Sequence, residues 1–260
     1  MLKIADSCIK CGACQECCPS VAIEVTREKG PVLVSDACIA CGHCESICPV
    51  GALEKTDLLH NEDVPLDKWP VLDARTAELF LRARRSIREW KPGIVPRTQT
   101  EKLLQIGRYA QTGSNMQGID YLVVESPEVM DELLVLLTEW FRTHPDPVRQ
   151  ETYQRFKDEP RRFFRGAPQC LLALHDPATP KTFRNGQFAF TYVELYAASL
   201  GLGTCWAGYL EAYLNTNDAA SRKLLGIPED RVVCAAMLYG LPKYPYHKLV
   251  TRNPAEIHWR

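Results

Sequence analysis

Apolar residues take up a helical spacing from Asp73 onward. Leu79, Phe80 and Ala83 lead to Trp90 and stop before Pro92, with Asp73 placed to cap the first turn. A second helix is predicted from the capping-box pattern Thr98-x-x-Glu101, with Leu103, Ile106 and Ala110 on one face. Ile119–Val124 reads as a strand, and Ser126-Pro127-Glu128 opens a third helix through Val129, Leu133, Leu136, Trp140 and Phe141. Cys170–Leu174 and Val232–Leu238 are apolar runs of strand length, and Phe188–Leu200 is a largely apolar helix. Helices outnumber strands without a regular β-helix-β alternation, so this part of the chain is predicted to be α+β. Residues 58–72 show no period and carry Pro65 and Pro70, as a linker with some extended structure would.

The front of the chain is a repeat. Cys8–Pro19 reads CIKCGACQECCP and Cys38–Pro49 reads CIACGHCESICP, identical at seven of twelve positions, and both continue into small-apolar-Glu text. A duplicated unit is therefore expected at 1–57, then a linker at 58–76 and a larger domain at 77–260. The first carries a net charge of −3 and the remainder +2.

Composition narrows the function classes. A 46% hydrophobic and 24% charged chain buries a core rather than staying disordered. A net charge of −1 provides no basic field for nucleic acid. The uncharged stretch Leu195–Leu210, between Glu194 and Glu211, falls short of the roughly 18 apolar residues of a membrane span. MLKIADSC lacks an apolar signal core, so a cytoplasmic location and no membrane partner are expected. Twelve cysteines, nine of them between Cys8 and Cys48, then point to metal or redox chemistry rather than a disulfide framework. Cys170, Cys205 and Cys234 read as small buried hydrophobes.

Each repeat has the spacing C-x2-C-x2-C-x3-C-P. Structural zinc also uses C-x2-C pairs, but in two separated pairs rather than three close ligands and a Cys-Pro. Residues 1–57 resemble the bacterial two-cluster ferredoxins, in which the fourth cysteine of each run completes the other cluster. The resemblance implies two 4Fe–4S clusters, one on Cys8, Cys11, Cys14 and Cys48 and the other on Cys38, Cys41, Cys44 and Cys18. Gly12 and Gly42 would let the backbone approach the sulfides. Cys17 reads as a spectator, and His43 as either a solvated side chain or a tuner of potential.

The text LRARRSIREW concentrates Arg82, Arg84, Arg85 and Arg88. Alone it fits a solvated helix face, a nucleic-acid patch or, with Ser86, an anion site for a phosphate monoester. Read on through Val95-Pro96, the helix LLQIGRYA, the loop Gly113-Ser114-Asn115-Met116-Gln117 and the strand IDYLVV, residues 77–260 resemble the nitroreductase family of FMN flavoproteins. The loop departs from the family pattern at Gln111-Thr112 and Gly118. Leu200–Gly208 resembles the family's glycine-rich segment, and Tyr239–Pro242 with Thr251–Pro254 its ending.

The resemblance implies FMN, with Arg84, Arg85, Ser86 and Arg252 on the phosphate and Arg88 at the pyrimidine edge. Gly113, Ser114, Asn115 and Gln117 would line the flavin, and Trp206, Ala207 and Gly208 would approach its N5 and O4. It also implies a homodimer with the flavin at the subunit interface. The expected function is an FMN-dependent oxidoreductase passing electrons from two 4Fe–4S clusters to FMN and on to a nitroaromatic, quinone or similar small-molecule acceptor. Electrons would come from an external low-potential donor or from nicotinamide. The competing readings are an electron-transfer or redox-sensing flavo-iron-sulfur protein and a metabolite-specific flavin dehydrogenase or dehalogenase of the same fold. No catalytic acid is singled out.

Overall fold

The computed structural model describes residues 2–56, 58, 64–179 and 182–260. Within the expected linker, residues 59–63 lie outside the described residues, as does Asp57 at the expected edge of the first domain. Two compact units separate, residues 1–71 with 114–116, and residues 72–113 with 117–260.

The first unit is built twice over. Strand β1 (Leu2–Ile4) precedes helix α1 (Ala13–Glu16), and β2 (Ile23–Thr26) and β3 (Gly30–Leu33) follow. Helix α2 (His43–Ser46) and β4 (Leu53–Lys55) complete it. β1 pairs antiparallel with β4, Leu2 opposite Lys55, and β2 with β3, Ile23 opposite Leu33. Gly12 and Gly42 begin the two short helices with φ of 86° and 73°, a left-handed backbone that glycine adopts without steric cost. Gln15 Oε1 accepts from the Val25 amide, and Glu45 Oε1 accepts from Lys55 in the equivalent place. The duplication visible in the sequence is thus also a duplication of hydrogen bonds.

The second unit starts with α3 (Ala74–Ala83) and α4 (Arg97–Gln105), then β5 (Asp120–Val124), α5 (Pro127–Thr143) and α6 (Pro147–Phe156). β6 (Gln169–His175), α7 (Thr182–Ala197), β7 (Gly203–Trp206), α8 (Gly208–Leu214), α9 (Ala219–Leu225) and β8 (Val232–Gly240) follow. The sheet has the antiparallel order β5-β6-β8-β7. β6 is buried along its whole length and β8 nearly so, because helices cover both faces. On one face Leu172, Leu174 and Leu238 pack with Leu133, Leu137 and Phe141 of α5 and Leu210 of α8. On the other, Leu171, Ala173, Met237 and Tyr239 pack with Leu103 of α4 and Phe190, Val193 and Ala197 of α7. Burial on both faces makes these strands read as continuous apolar runs rather than alternating ones. The predicted α+β class holds.

Local chemistry sets the helix starts. Asp73 accepts from the Thr76 amide at 3.0 Å and Ser126 from that of Val129 at 3.2 Å, as their sequence positions predict. The capping box at Thr98 does not form. α4 begins at Arg97 behind Pro96, whose side chain has no acceptor to offer. A second departure matters more. The first helix ends at Ala83, not Trp90, because Arg84 turns to φ −54°, ψ 126° and the chain continues extended. Ser86 bridges Thr204 in parallel, the Ile87 amide donates to Thr204 O at 2.8 Å, and the Lys91 amide donates to Leu241 O at 2.8 Å. These backbone bonds outweigh the helical propensity of an Arg- and Glu-rich segment.

Candidate functional site

In the first unit the cysteines surround two separate hollows. Cys8, Cys11, Cys14 and Cys48 line one, and Cys18, Cys38, Cys41 and Cys44 line the other. Each hollow takes three cysteines from one repeat and the fourth from the other, the crossed arrangement of two-cluster proteins. Among the described residues, no three His, Cys, Asp or Glu side chains converge on a point suited to a single ion. Thiolates spread around a hollow instead fit the corners of a cubane.

The fourth cysteines share a second feature. Cys18 Sγ accepts from the Ala22 amide at 3.3 Å and Cys48 Sγ from the Ala52 amide at 3.2 Å. Such bonds stabilise sulfur's negative charge and are a lever on cluster potential. Cys17 Sγ points its proton at Cys14 O, 3.5 Å away, and lines neither hollow. His43 begins α2 beside the second hollow. The short turn Ser114–Met116 belongs to this unit. Asn115 Nδ2 donates to the carbonyls of Ile39 and Ala40 at 3.0 and 2.9 Å, and Ser114, Asn115 and Gln117 each have φ of 52°. Non-glycine residues rarely adopt that conformation, and runs of it cluster at ligand clamps and switch segments.

In the second unit the extended Arg84–Trp90 segment runs beside β7. This brings Arg84, Arg85, Ser86 and Arg88 alongside the strand that ends in Trp206 and leads into Ala207 and Gly208. The approach is close: Ile87 Cγ1 lies 2.6 Å from where a Cβ on Gly203 would sit, so only glycine fits there. A cavity of about 420 Å³ opens between the end of α3, α7, β7 and the segment after β8. Arg84, Arg85, Glu194, Thr204 and Tyr246 are among its lining residues. Arg85 stacks its guanidinium over Tyr246 at 5.1 Å. Ser86 and Arg88 lie on the other side of the strand, near the Cys205 thiol. Burial pushes that thiol up, while Arg88, Arg165 and the Ser86 hydroxyl oppose the shift.

Gly113 donates its amide to Asn185 Oδ1 at 3.3 Å, and the Gln117 amide donates to Thr112 Oγ1 at 3.0 Å. Arg252 lies in the exposed segment after β8, its Nη1 on Thr251 O. Cys170, Cys205 and Cys234 are buried, as their apolar neighbours predict.

Two residues escaped the sequence reading. Glu194, on the buried face of α7, accepts from Arg84 and from Trp206. Arg165 has a left-handed backbone at φ 54° and stacks over Phe156 at 5.8 Å. A lone acid inside the apolar text of α7 was the available signal for the first. Nothing in the sequence marks the second.

The comparisons accord with this geometry. The nitroreductase family model matches residues 81–240, and that of the 4Fe-4S dicluster domain matches residues 1–49. No curated protein matches the chain. Among solved structures, a nitroreductase with bound FMN from Bacteroides fragilis is 22% identical with a TM-score of 0.59, covering 68% of this chain and 96% of its own. A second, from Desulfitobacterium hafniense, is 21% identical with a TM-score of 0.60, covering 72% and 100%. An FMN-dependent nitroreductase from Clostridium difficile is 20% identical with a TM-score of 0.54, again covering 72% and 100%. The nitroreductase match begins after the cysteine repeats and takes in the arginine-rich strand and the glycine-rich segment. The family model alone spans more than half of the sequence, and this chain belongs to the nitroreductase family.

Proposed function

We propose that this protein is an FMN-dependent oxidoreductase in which electrons held on two 4Fe–4S clusters reach FMN and then a flat electrophilic acceptor, a nitroaromatic or a quinone. The observation that carries this reading is the presence in one chain of two crossed four-cysteine hollows and an arginine-rich strand laid against Thr204. FMN couples one-electron donors to two-electron chemistry.

The residues present fit the group. Arg84 and Arg85 supply forked donors for a phosphate monoester beside a cavity large enough to admit part of the cofactor, whereas the Ser86 hydroxyl faces Cys205 on the other side of the strand. Arg88 lies near the Cys205 thiol, and its charge would stabilise an anionic ring edge. Gly208 presents its backbone amide where β7 gives way to α8, while the Ala207 amide already donates to Ala236 O at 2.9 Å, and both positions are small enough to admit a planar ring. The family resemblance adds Arg252, Gly113 and Gln117 as expected contacts.

A homodimer is part of the proposal. α3 buries none of its own residues, and Phe80, Leu81, Tyr246, Ile257 and Trp259 leave large apolar surfaces exposed. Exposed apolar groups on this scale fit an interface between copies.

The test is anaerobic purification followed by cofactor analysis and an acceptor screen. One FMN with about eight irons and eight sulfides per chain is expected. Nitroaromatics or quinones should then oxidise the dithionite-reduced protein over many turnovers. Stoichiometric zinc, or reduced flavin that no acceptor reoxidises catalytically, would overturn the reading.

A further inference from the structure

Burying a carboxylate costs several kcal/mol unless donors meet its oxygens. Glu194 sits on the buried face of α7 among Phe190, Val193 and Ala197, with a side chain only 6% exposed. Both oxygens are met. Oε1 accepts from Arg84 Nη1 at 2.8 Å and Oε2 accepts from Trp206 Nε1 at 3.0 Å. Phe190 stands edge-on to the Trp206 indole at 6.1 Å and fixes it from another side. A single carboxylate therefore ties α7 to the residue that follows α3 and to the last residue of β7. An apolar side chain would fill this helix position without any desolvation cost, as its neighbours do. Packing alone does not explain an acid here.

We propose that Glu194 is a positioning residue of the cofactor site, acting through Arg84 and Trp206 rather than on the cofactor itself. The proposal rests on the FMN reading above. Arg84 has five N–H donors in a rigid fork, and Glu194 takes one of them, leaving the rest for an anion in the adjoining cavity. A guanidinium already held in place loses less freedom when the phosphate arrives, so affinity rises through preorganisation. The pair is neutral, so net attraction for the phosphate falls to the other arginines while Arg84 contributes direction. Through the second oxygen the same carboxylate holds the Trp206 side chain, and with it the strand end from which Ala207 and Gly208 emerge.

The experiment is a double-mutant cycle on the full-length, cluster-loaded protein stripped of FMN, with the dissociation constant read by quenching of flavin fluorescence. Glu194→Ala and Arg84→Ala are each expected to weaken FMN binding about tenfold, the scale of coupled neighbours. The double variant should bind no more weakly than Arg84→Ala by more than about twofold, that remainder being the Trp206 share. Glu194→Gln keeps one acceptor and should fall between wild type and Glu194→Ala. Affinity unchanged in Glu194→Ala, or losses that add in full, would overturn the proposal. If Glu194→Ala does not fold, the same cycle is closed with Glu194→Gln. A wild-type chain that takes up no FMN at all would instead overturn the flavin reading, and the proposal with it.

Discussion

At Gly203 a missing side chain lets the site exist. Ile87 occupies the space a Cβ would need, and the Ile87 amide bonds Thr204 O next door. Gly203→Ala should push the arginine-rich strand off β7, costing about 1–3 kcal/mol as overpacking does. Thermal unfolding should shift down and bound flavin, read by absorbance, should fall with it. His175 offers a pH test. It is 5% exposed, its Nδ1 lies 2.7 Å from Thr182 Oγ1, and desolvation holds its pKa below the ordinary value. The unfolded chain therefore takes up this proton first as pH falls. The stability His175 contributes is present above about pH 6.5 and is lost from there down to its lower folded pKa. In His175→Gln the slope of unfolding free energy over that window should flatten, as followed by the tryptophan emission in urea. Neither residue was legible in the sequence, because a close approach and a buried imidazole are products of packing. The eight cysteines of the two hollows were legible, since the spacing of the repeats encodes their chemistry.

Among the elements, Arg84–Trp90 shows where reading by period stops. Leu79, Phe80 and Ala83 set a helical rhythm that charged residues continue, and nothing local says that Ser86 will bridge a strand more than a hundred positions away. β7 was hidden for the complementary reason. Four residues inside a glycine-rich segment carry no strand-length apolar run, and Gly203–Trp206 gains its strand character from pairing with Met237–Gly240. By contrast α5 was readable from Ser126 to Phe141 because cap, proline and apolar face all agree. The cysteine repeats lie between these cases. Their spacing announced the clusters, and the crossing follows from Cys18 and Cys48 each turning into the hollow of the opposite repeat. Cys18→Ser should therefore damage the cluster on Cys38, Cys41 and Cys44 while sparing the one on Cys8, Cys11 and Cys14. Iron content should fall toward about four per chain, and the surviving signal in electron paramagnetic resonance should match that of a variant lacking Cys41. Loss of the first cluster instead would refute the crossing.

For the whole molecule, the joining of two units on one chain is itself a physical effect. Covalent linkage by a short flexible segment gives an electron donor an effective concentration of about millimolar at its acceptor, far above what two free proteins reach. That benefit depends only on covalent linkage, so it can be tested by breaking the clusters and leaving the chain intact. Replacing Cys11 and Cys41 by Ser removes a cysteine from each hollow and none from the proposed phosphate site, so FMN should remain bound at wild-type stoichiometry. Flavin reduced directly by photochemistry should still pass electrons to a quinone at the wild-type rate. Reduction of the flavin by a low-potential one-electron protein donor should slow by at least about tenfold, because the tethered relay is gone. Stopped-flow absorbance separates the two half-reactions. If the variant is reduced as fast as wild type, electrons enter the flavin without the clusters, and the first unit has a structural or regulatory part in the molecule rather than a conducting one.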